Sequence, residues 1–381
     1  MIEFKPSEEQ QAIRDMATDF ALKELRPKAI EWDEQKHFPT DVLAQAGALG
    51  LGAIYTQDDV DGTGLGRVDA ALIFEALATG CPTIAAYISI HNMCCWMIDT
   101  YGSQEQRETW CPRLATMETL ASYCLTEPGA GSDASALSMR AEKDGDDYVL
   151  TGQKQFISGA GVSDVYIVMA RTGSEGAKGI SAFLIGKDTP GLSFGANEHK
   201  MGWNAQPTRS VNLDNARVPA ANMLGLEGKG FNIAMSGLNG GRINIAACSL
   251  GGAQAALDAS VKYLRDRKAF GKALIDQPTL QFRVADMATR IEVARSILWR
   301  AAASLDAKTQ DATTLCAMAK QFVTDECFNV ANDALQLHGG YGYLTEYGIE
   351  KIVRDLRVHQ ILEGTNEIMR LIVARSVTVE K

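Results

Sequence analysis

The spacing of apolar residues divides the chain into three regions. In residues 1–122 apolar positions recur every three to four residues, as between Ile13 and Phe20, which predicts amphipathic helices. Ser7 and Gln10 have the spacing of a capping box, so we expect the first helix to begin there. The first region is therefore predicted to be an N-terminal helical domain.

The period changes to that of strands in residues 123–232. Short runs rich in β-branched and aromatic residues, such as YVLTGQKQFISGA and DVYIVMAR, are separated by Gly, Pro, Asp and Asn. This spacing predicts a small antiparallel barrel or sandwich. Residues 233–381 return to long helical patterns, with Pro278 between two of them, and predict an antiparallel helix bundle. The predicted fold is mainly α with a central β-domain.

The charge balance excludes several classes of partner. The net charge is −10 and the pI is about 5.1, which argues against nucleic acid or an anionic membrane as the main partner. No apolar run reaches the ~18 residues of a membrane span, and the polar start does not resemble a signal peptide. We expect a cytoplasmic protein if the chain is bacterial, or a mitochondrial matrix protein if it is a processed eukaryotic chain.

The cysteines and histidines do not predict a metal site. The chain has eight cysteines and five histidines, but no C-x-x-C and no H-x-x-x-H pair. Free thiols are therefore expected. His91, Cys94 and Cys95 lie in a strongly apolar run and are interpreted as core residues.

Two segments in the middle region could line a ligand. YCLTEPGAGSD (123–133) offers the hydroxyls of Thr126 and Ser132 and a backbone that a ligand can approach closely, although a plain tight turn is the simpler interpretation. In KQFISGAG (154–161), Phe156 and Ser158 share one strand face, which suits a planar cofactor. The simpler interpretation of the second segment is a core Phe beside a surface Ser.

Three segments in the C-terminal region are also candidates. LNGGRINIA (238–246) places two glycines inside a helix at ~1 kcal/mol each, which close helix contact or close ligand approach would explain. RDRKAFGK (265–272) is basic and could meet an anion or simply complement a helix end. QLHGGYGY (336–343) is a glycine-rich helix stop with amides that could bind a diphosphate.

A single carboxylate stands out near the C-terminus, in HQILEGTNEIMR (359–370). Glu363 follows the apolar pair Ile361 and Leu362 and precedes Gly364, which allows a bend. The acid is either a helix cap or a desolvated general base, and its immediate neighbours do not decide between the two.

Taken together, these segments resemble the acyl-CoA dehydrogenase family over essentially the whole chain. YCLTEPGAGSD resembles the first signature of the family, and QLHGGYGYLTEY followed by HQILEGTNEIMR resembles the second. FEALATGCPTIAAYISIHNMCCWMID and GLNGGRINIAACSLG resemble the valine-pathway branch, which converts isobutyryl-CoA to methacrylyl-CoA. The resemblance implies three domains (1–122, 123–232 and 233–381), FAD as cofactor, a homotetramer, and electron transfer flavoprotein as the electron acceptor.

The resemblance also implies site residues. Arg267 would face the FAD diphosphate, and Gln277 with residues 336–340 would contact FAD across a subunit interface. The implied FAD contacts are Tyr123, Cys124, Leu125, Thr126, Gly131, Ser132, Phe156, Ile157, Ser158, Arg267, Gln277, Gln336, Leu337, His338, Gly339, Gly340, Thr365, Asn366 and Glu367. The implied acyl-CoA contacts are Ser132, Asn239, Gly240, Gly241, Arg242 and Arg375.

In this family Glu363 would be the base that removes the α-proton of the acyl thioester while the β-hydrogen leaves as hydride to flavin N5. Its amide would polarise the thioester carbonyl, and Ile361 and Leu362 would help to keep it dry. The alternatives are activity on 2-methylbutyryl-CoA or butyryl-CoA, an oxidase that uses O₂, and a non-catalytic acyl-CoA-binding helical protein.

Overall fold

The N-terminal region consists of six α-helices. A computed structural model describes residues 5–378; residues 1–4 and 379–381, which the predicted domains include, lie outside it. The helices are α1 (Glu8–Phe20), α2 (Ala29–Gln35), α3 (Thr40–Ala48), α4 (Arg67–Ala78), α5 (Pro82–Tyr101) and α6 (Gln104–Ala115). The predicted capping box is confirmed, because the Ser7 hydroxyl accepts a hydrogen bond from the Gln10 amide and the Gln10 side chain accepts one from the Ser7 amide.

The middle region forms one eight-stranded sheet. Its strands are β1 (Ala121–Cys124), β2 (Arg140–Asp144), β3 (Asp147–Ser158), β4 (Val165–Arg171), β5 (Ile180–Gly186), β6 (Leu192–Phe194), β7 (Thr208–Pro219) and β8 (Met223–Leu224). The order is β6-β7-β3-β2-β4-β5-β8, and β1 pairs with β4. The sheet differs from a purely antiparallel one because both β1 and β2 pair with β4 in parallel. Strand β1 carries the chain from the helical region into the sheet.

The C-terminal region is helical except for a small hairpin. Its elements are α7 (Gly230–Asp266), β9 (Lys268–Ala269), β10 (Lys272–Ala273), α8 (Pro278–Asp306), α9 (Ala312–His338), α10 (Ile349–His359) and α11 (Asn366–Thr378). Pro278 is the first residue of α8, where the absence of an amide hydrogen has no cost. The predicted fold class is confirmed. No helix among residues 5–378 is long and apolar enough to cross a membrane.

A buried carboxylate joins the three regions. Asp355 in α10 is fully buried and accepts hydrogen bonds from the Thr83 hydroxyl of α5 and from the Trp203 amide, which precedes β7. It also pairs with Lys351, one turn earlier in its own helix. Burial of an ion pair is favourable only when the remaining bonding positions are filled, as they are here. The end of α10 is therefore fixed against both neighbouring regions.

The cysteines and His91 lie in the core, as predicted. All eight cysteines are free and buried. His91 is fully buried; one ring nitrogen lies 2.8 Å from the carbonyl oxygen of Leu114, and the other accepts a hydrogen bond from the Ala121 amide. The described residues contain no cluster of three or more metal-binding side chains.

Candidate active site

Glu363 lies in the loop between α10 and α11, in a backbone conformation that is unusual for its residue type. Its φ is 57°, and that of Gly364 is 86°. A left-handed conformation costs a non-glycine residue roughly 1–2 kcal/mol. The Asn366 amide donates to the Gln360 carbonyl and closes the loop. The predicted bend is therefore real, but it begins at Glu363 itself and not only at Gly364.

Two buried cations hold the carbonyls of this bend. Arg242 of α7 is 5% exposed, and its Nε donates to the Glu363 carbonyl at 3.3 Å. Lys320 of α9 is fully buried and donates to the Gly364 carbonyl and to Asn366 Oδ1, both at 2.8 Å. Buried cations require such partners. The strained loop is thus tied to two different helices.

The Glu363 carboxylate points into the protein. Oε2 is buried and has no hydrogen-bond partner among residues 5–378. A Cβ placed on Gly241 would lie 2.5 Å from the same oxygen, so the absence of a side chain at 241 makes room for the acid. Burial raises the pKa of Glu363 to about 7, although Arg242 and Lys320 oppose the shift. This is the pKa range of a general base at neutral pH.

The dry surroundings come from residues other than those expected. Ile361 is 50% exposed, so its predicted contribution to a water-poor environment is wrong; only Leu362 packs against the core. Tyr123 and Cys94 are also neighbours of the acid. Burial, together with the nearby Glu363 carboxylate, raises the pKa values of both groups well above their usual range. The hydroxyl oxygen of Tyr123 is also buried, with no partner in the described part of the chain. Polar atoms of this kind are expected to meet a ligand or water.

The turn that follows Tyr123 is held by a buried ion pair. Lys154 is fully buried and donates to Glu127 at 2.7 Å and to the Leu125 carbonyl at 3.1 Å. Glu127 also accepts from the amides of Ser138 and Met139. Burial alone would raise the pKa of Glu127, but Lys154 and the two amides lower it below its usual value. These contacts fix the start of the turn to β3 through Lys154 and to the residues that follow the turn through Ser138 and Met139.

Phe156 is presented to solvent by a bulge in β3. Its φ is 61°, the β3–β7 register shifts between Lys154 and Ile157, and the Phe156 side chain is 63% exposed. The interpretation of a core Phe is wrong, because the bulge turns the ring outward. The side chains of Ile157, Cys124 and Leu125 are buried in the core, so only their backbones could reach a cofactor.

This face of the sheet fits a flat ring system. Phe156 exposes an aromatic surface, and Ser158, two residues later, is partly accessible. Thr126 is also partly accessible, and its carbonyl accepts a hydrogen bond from the Gln155 amide at 2.8 Å. A Cβ on Gly129 or Gly131 would meet no atom within 4 Å, so the turn leaves open space. An exposed aromatic side chain beside hydroxyls and an open glycine turn is the residue set that an isoalloxazine needs.

A second group of predicted cofactor residues lies far along α7. Arg267 caps the C-terminal end of α7 and is exposed, with its guanidinium 5.5 Å from the centre of the Tyr341 ring. Tyr263 stacks on His338 at 4.5 Å and joins the ends of α7 and α9. At 1.5 Å per residue, Arg242 and Arg267 are about 37 Å apart along the helix. Within one chain, the Arg267 group is therefore far from Arg242 and from the Glu363 loop that Arg242 holds.

In this second group the side chains differ in accessibility. Gln336, Gly339 and Gly340 are exposed, and Gln277 is half-buried. Leu337 and His338 are buried against their own chain, so they can offer only backbone atoms.

Most of the remaining predicted residues lie close to the Glu363 loop in space or in sequence, and Ser132 belongs to the glycine turn after β1. Asn239 accepts from Arg242 and donates to Thr313, Asn366 is buried within its own hydrogen bonds, and Glu367 is exposed. Thr365 Oγ1 accepts from the Ile368 amide in the first turn of α11. Ser132 and Arg375 are exposed.

Comparison with known proteins identifies the family. The N-terminal, middle and C-terminal domains of acyl-CoA dehydrogenases match residues 7–118, 122–216 and 228–378. The chain belongs to the acyl-CoA dehydrogenase family. It is an FAD-dependent oxidoreductase with acyl-CoA dehydrogenase activity, as members of the family are.

Several relatives match over nearly their full length. Mitochondrial isobutyryl-CoA dehydrogenase of Bos taurus is 54% identical over 374 residues, which is 98% of this chain and 90% of the relative. A structure described with the electron transferring flavoprotein of Acidaminococcus fermentans has a TM-score of 0.97 at 38% identity, covering 100% of both chains. Butyryl-CoA dehydrogenase from Megasphaera elsdenii has a TM-score of 0.96 at 36% identity, covering 99% of this chain and all of the other.

The sequence analysis missed two parts of the site. Lys320 lies in a segment with an ordinary helical pattern, and Lys154 and Glu127 resemble surface charges on a strand and a turn. A charged residue at a position where the helical pattern expects an apolar one was the available indication for Lys320.

Proposed function

We propose that the chain oxidises isobutyryl-CoA to methacrylyl-CoA, with Glu363 as the α-proton base. The observation that carries the proposal is the Glu363 carboxylate, whose Oε2 is buried without a hydrogen-bond partner among residues 5–378 and whose pKa is raised. This carboxylate lies close enough to Tyr123 to help raise the pKa of its hydroxyl. The 54% identity to isobutyryl-CoA dehydrogenase supports the choice of substrate.

The proposed reaction breaks two C–H bonds and forms one C=C bond. Glu363 takes the α-proton, for which burial gives it a suitable affinity near neutral pH. When bound, FAD supplies the acceptor for the β-hydrogen, which leaves with its electron pair. Arg242 and Lys320 keep the base in place by holding the carbonyls of residues 363 and 364.

The Glu363 amide is a suitable donor to the thioester oxygen. No hydrogen bond of this amide is found within the described residues. A donor aimed at the thioester carbonyl stabilises the negative charge that develops when the α-proton leaves, and such donors contribute several kcal/mol in dry sites. The same residue would thus supply both the base and a donor.

We infer that the cofactor site is completed by a second copy of the chain. Arg267 lies about 37 Å along α7 from Arg242, which holds the Glu363 loop, and this is too far for a dinucleotide bound beside that loop to contact Arg267 of the same chain. A partner subunit that brings its own Arg267 corner to the Phe156 face would solve this, as in a homotetramer. Electron transfer flavoprotein is the proposed acceptor, in the cytoplasm of a bacterium or in the mitochondrial matrix.

The first test is Glu363→Gln in the flavin-loaded enzyme mixed rapidly with isobutyryl-CoA. Wild type should bleach its flavin band. The variant should retain FAD and bind the ligand but reduce the flavin at least 10²- to 10⁴-fold more slowly, because a positioned base contributes that much. Bleaching at close to the wild-type rate would refute the role of Glu363.

Substrate choice needs a separate comparison. One methylene changes discrimination by only about 1–3 kcal/mol, so 2-methylbutyryl-CoA and butyryl-CoA remain the competing substrates. The ratio of kcat/KM across the three thioesters decides among them. Peroxide release without an added electron carrier would indicate an oxidase. A colourless protein that binds acyl-CoA without turnover would indicate a binding protein.

A further inference from the structure

Arg67, the first residue of α4, is a buried cation whose guanidinium forms no salt bridge with any carboxylate of residues 5–378. It is 7% exposed, and its Nη1 is buried with no hydrogen-bond partner in the described part of the chain. The guanidinium carbon lies 3.5 Å from the centre of the Tyr55 ring and 5.0 Å from that of Trp96. Aromatic faces compensate part of the charge but do not accept this N–H hydrogen bond as an oxygen would.

The carboxylate beside Arg67 serves its backbone instead. Both oxygens of Asp306 accept from the Arg67 amide, at 2.8 and 2.9 Å. This arrangement caps the start of α4 and fixes the residue. The side chain is held in place by stacking while its Nη1 stays without a partner.

The side chains of Arg67 and Glu363 both pack against the same turn of α7. A Cβ on Gly240 would be 2.4 Å from Arg67 Nη1, and a Cβ on Gly241 would be 2.5 Å from Glu363 Oε2. Consecutive Cα atoms are 3.8 Å apart, so the two buried polar atoms are no more than about 12 Å apart. The two glycines therefore leave space for both side chains at one site.

We propose that Arg67 binds acyl-CoA by donating from Nη1 to the first amide carbonyl of the pantetheine arm. The proposal rests on the proposed function, in which Glu363 reaches the α-carbon. With ordinary bond lengths, that amide oxygen lies about 7–8 Å from the α-carbon in an extended arm, which fits the limit set by the two glycines.

The chemistry of the ligand favours a neutral carbonyl on the arm. An isobutyryl group has no oxygen beyond the thioester, and the thioester oxygen is taken by the Glu363 amide in the proposed reaction. The unpartnered group is a single nitrogen, Nη1, which a lone carbonyl oxygen can satisfy, whereas a carboxylate prefers a bidentate contact with two nitrogens of a guanidinium. Arg67 is thus assigned as a binding residue that sets how far the thioester enters.

The test compares two truncated thioesters that differ in the amide. Isobutyryl-N-acetylcysteamine keeps the first amide, and S-butyl isobutanethioate lacks it. The second-order rate of flavin reduction is measured for each, in wild type, Arg67→Met and Arg67→Lys, with the exposed Arg300→Met as the control. The dissociation constant of isobutyryl-CoA is measured by calorimetry in the Glu363→Gln background, with and without Arg67→Met.

We expect Arg67→Met to lower the rate with the amide-containing thioester about ten- to a hundredfold, and to weaken isobutyryl-CoA binding similarly. The rate with the S-butyl thioester should not change, and Arg67→Lys should recover part of the loss. Arg300→Met should behave as wild type.

Equal losses with both thioesters, or no loss with either, would overturn the proposal. Methylmalonyl-CoA, which has a carboxylate in its acyl group, is compared in the same binding measurement. A loss of affinity confined to this ligand would place Arg67 at the acyl end and would also overturn the proposal. If Arg67→Met fails to fold, the comparison of wild type with Arg67→Lys decides. The proposed substrate fails separately, if wild type does not reduce its flavin with isobutyryl-CoA.

Discussion

At the scale of single residues, the protonation of Glu363 is decided by a competition between burial and two cations. Desolvation disfavours the carboxylate, and Arg242 with Lys320 partly restores it. Burial also lowers the pKa of Lys320 to about 7, although Glu363 opposes this. The pKa values of Glu363 and Lys320 therefore both lie near neutral pH.

The raised pKa of Glu363 predicts a stability effect that depends on pH. The folded-state pKa of about 7 is above the ordinary value of 4.5, so the favourable contribution is present below pH 4.5 and is lost as the pH rises to about 7. The free energy of unfolding of Glu363→Gln minus that of wild type should therefore increase between pH 4.5 and pH 8, by up to about 3 kcal/mol. Urea denaturation at several pH values, with saturating FAD, measures this.

The control for that experiment is Glu175→Gln, at an exposed position in the loop after β4. Its difference from wild type should be nearly independent of pH. A Glu363→Gln difference that is equally flat would contradict the desolvated state of the acid.

Sequence reasoning at this scale located Glu363 but not its surroundings. The bend was indicated by Gly364, whereas the positive φ of Glu363 depends on contacts from α7 and α9 that are distant in sequence. Ile361 was expected to be buried because it is apolar, yet its position at the start of a loop leaves it half-exposed. The sequence shows which residues are apolar, but only the packing of the folded chain decides which apolar side chains are buried.

At the scale of elements, α7 is a long helix that side chains from other elements approach closely at two glycines. Gly240 and Gly241 each weaken the helix, but they admit the side chains of Arg67 and Glu363. The sequence analysis expected close contact with another helix or with a ligand at these glycines; the structure shows that two side chains of the same chain take up the space beside them.

Gly241→Ala should separate helix stability from catalysis. The methyl group would lie 2.5 Å from Glu363 Oε2 and would displace the base, and a displacement of about 1 Å is enough for a loss of roughly 10²-fold in rate. Thermal stability should change little, because the gain in helix propensity offsets the crowding. Rapid-mixing flavin reduction and a melting curve measure the two effects.

Gly252→Ala in the same helix is the matched control. Its Cβ would be 3.0 Å from the end of the Leu356 side chain, which can move, so the rate should stay close to wild type. Unchanged flavin reduction in Gly241→Ala would mean that the carboxylate does not need that space.

Strand β3 shows where pattern-based prediction ends. Its alternation predicted a strand over the right residues, because a period of two is local. The bulge at Phe156 was not predictable, because it depends on how β3 is registered against β7, about 50 residues later. The exposed ring, which gives the face its fit to a flavin, follows from that register and not from the residue type.

At the scale of the whole molecule, Asp355 couples the three regions. Thr83, Trp203 and Lys351 come from the N-terminal helices, the sheet region and the C-terminal helices, and all bind this one carboxylate. Its neighbour His359, also fully buried, accepts from the Trp203 indole and bonds to Ser249 of α7. Glu363 lies only eight positions after Asp355.

Asp355→Asn should destabilise the whole protein by about 3–5 kcal/mol, because it leaves Lys351 buried without its anion. Calorimetry should show the melting of all three regions shifted together. Asp258→Asn, an exposed carboxylate bonded only to Gln254 in its own helix, should shift the melting temperature little. A shift in only one of several separate transitions would contradict the coupling.

The junction at Asp355 also limits how the protein can be redesigned. Grafting the C-terminal helices onto another scaffold would transfer the acid and both of the cations that hold its loop. It would leave behind the threonine and the tryptophan that fasten the helix leading into that loop. A transplanted pocket would therefore need a substitute for two distant anchors before its chemistry could be expected to survive.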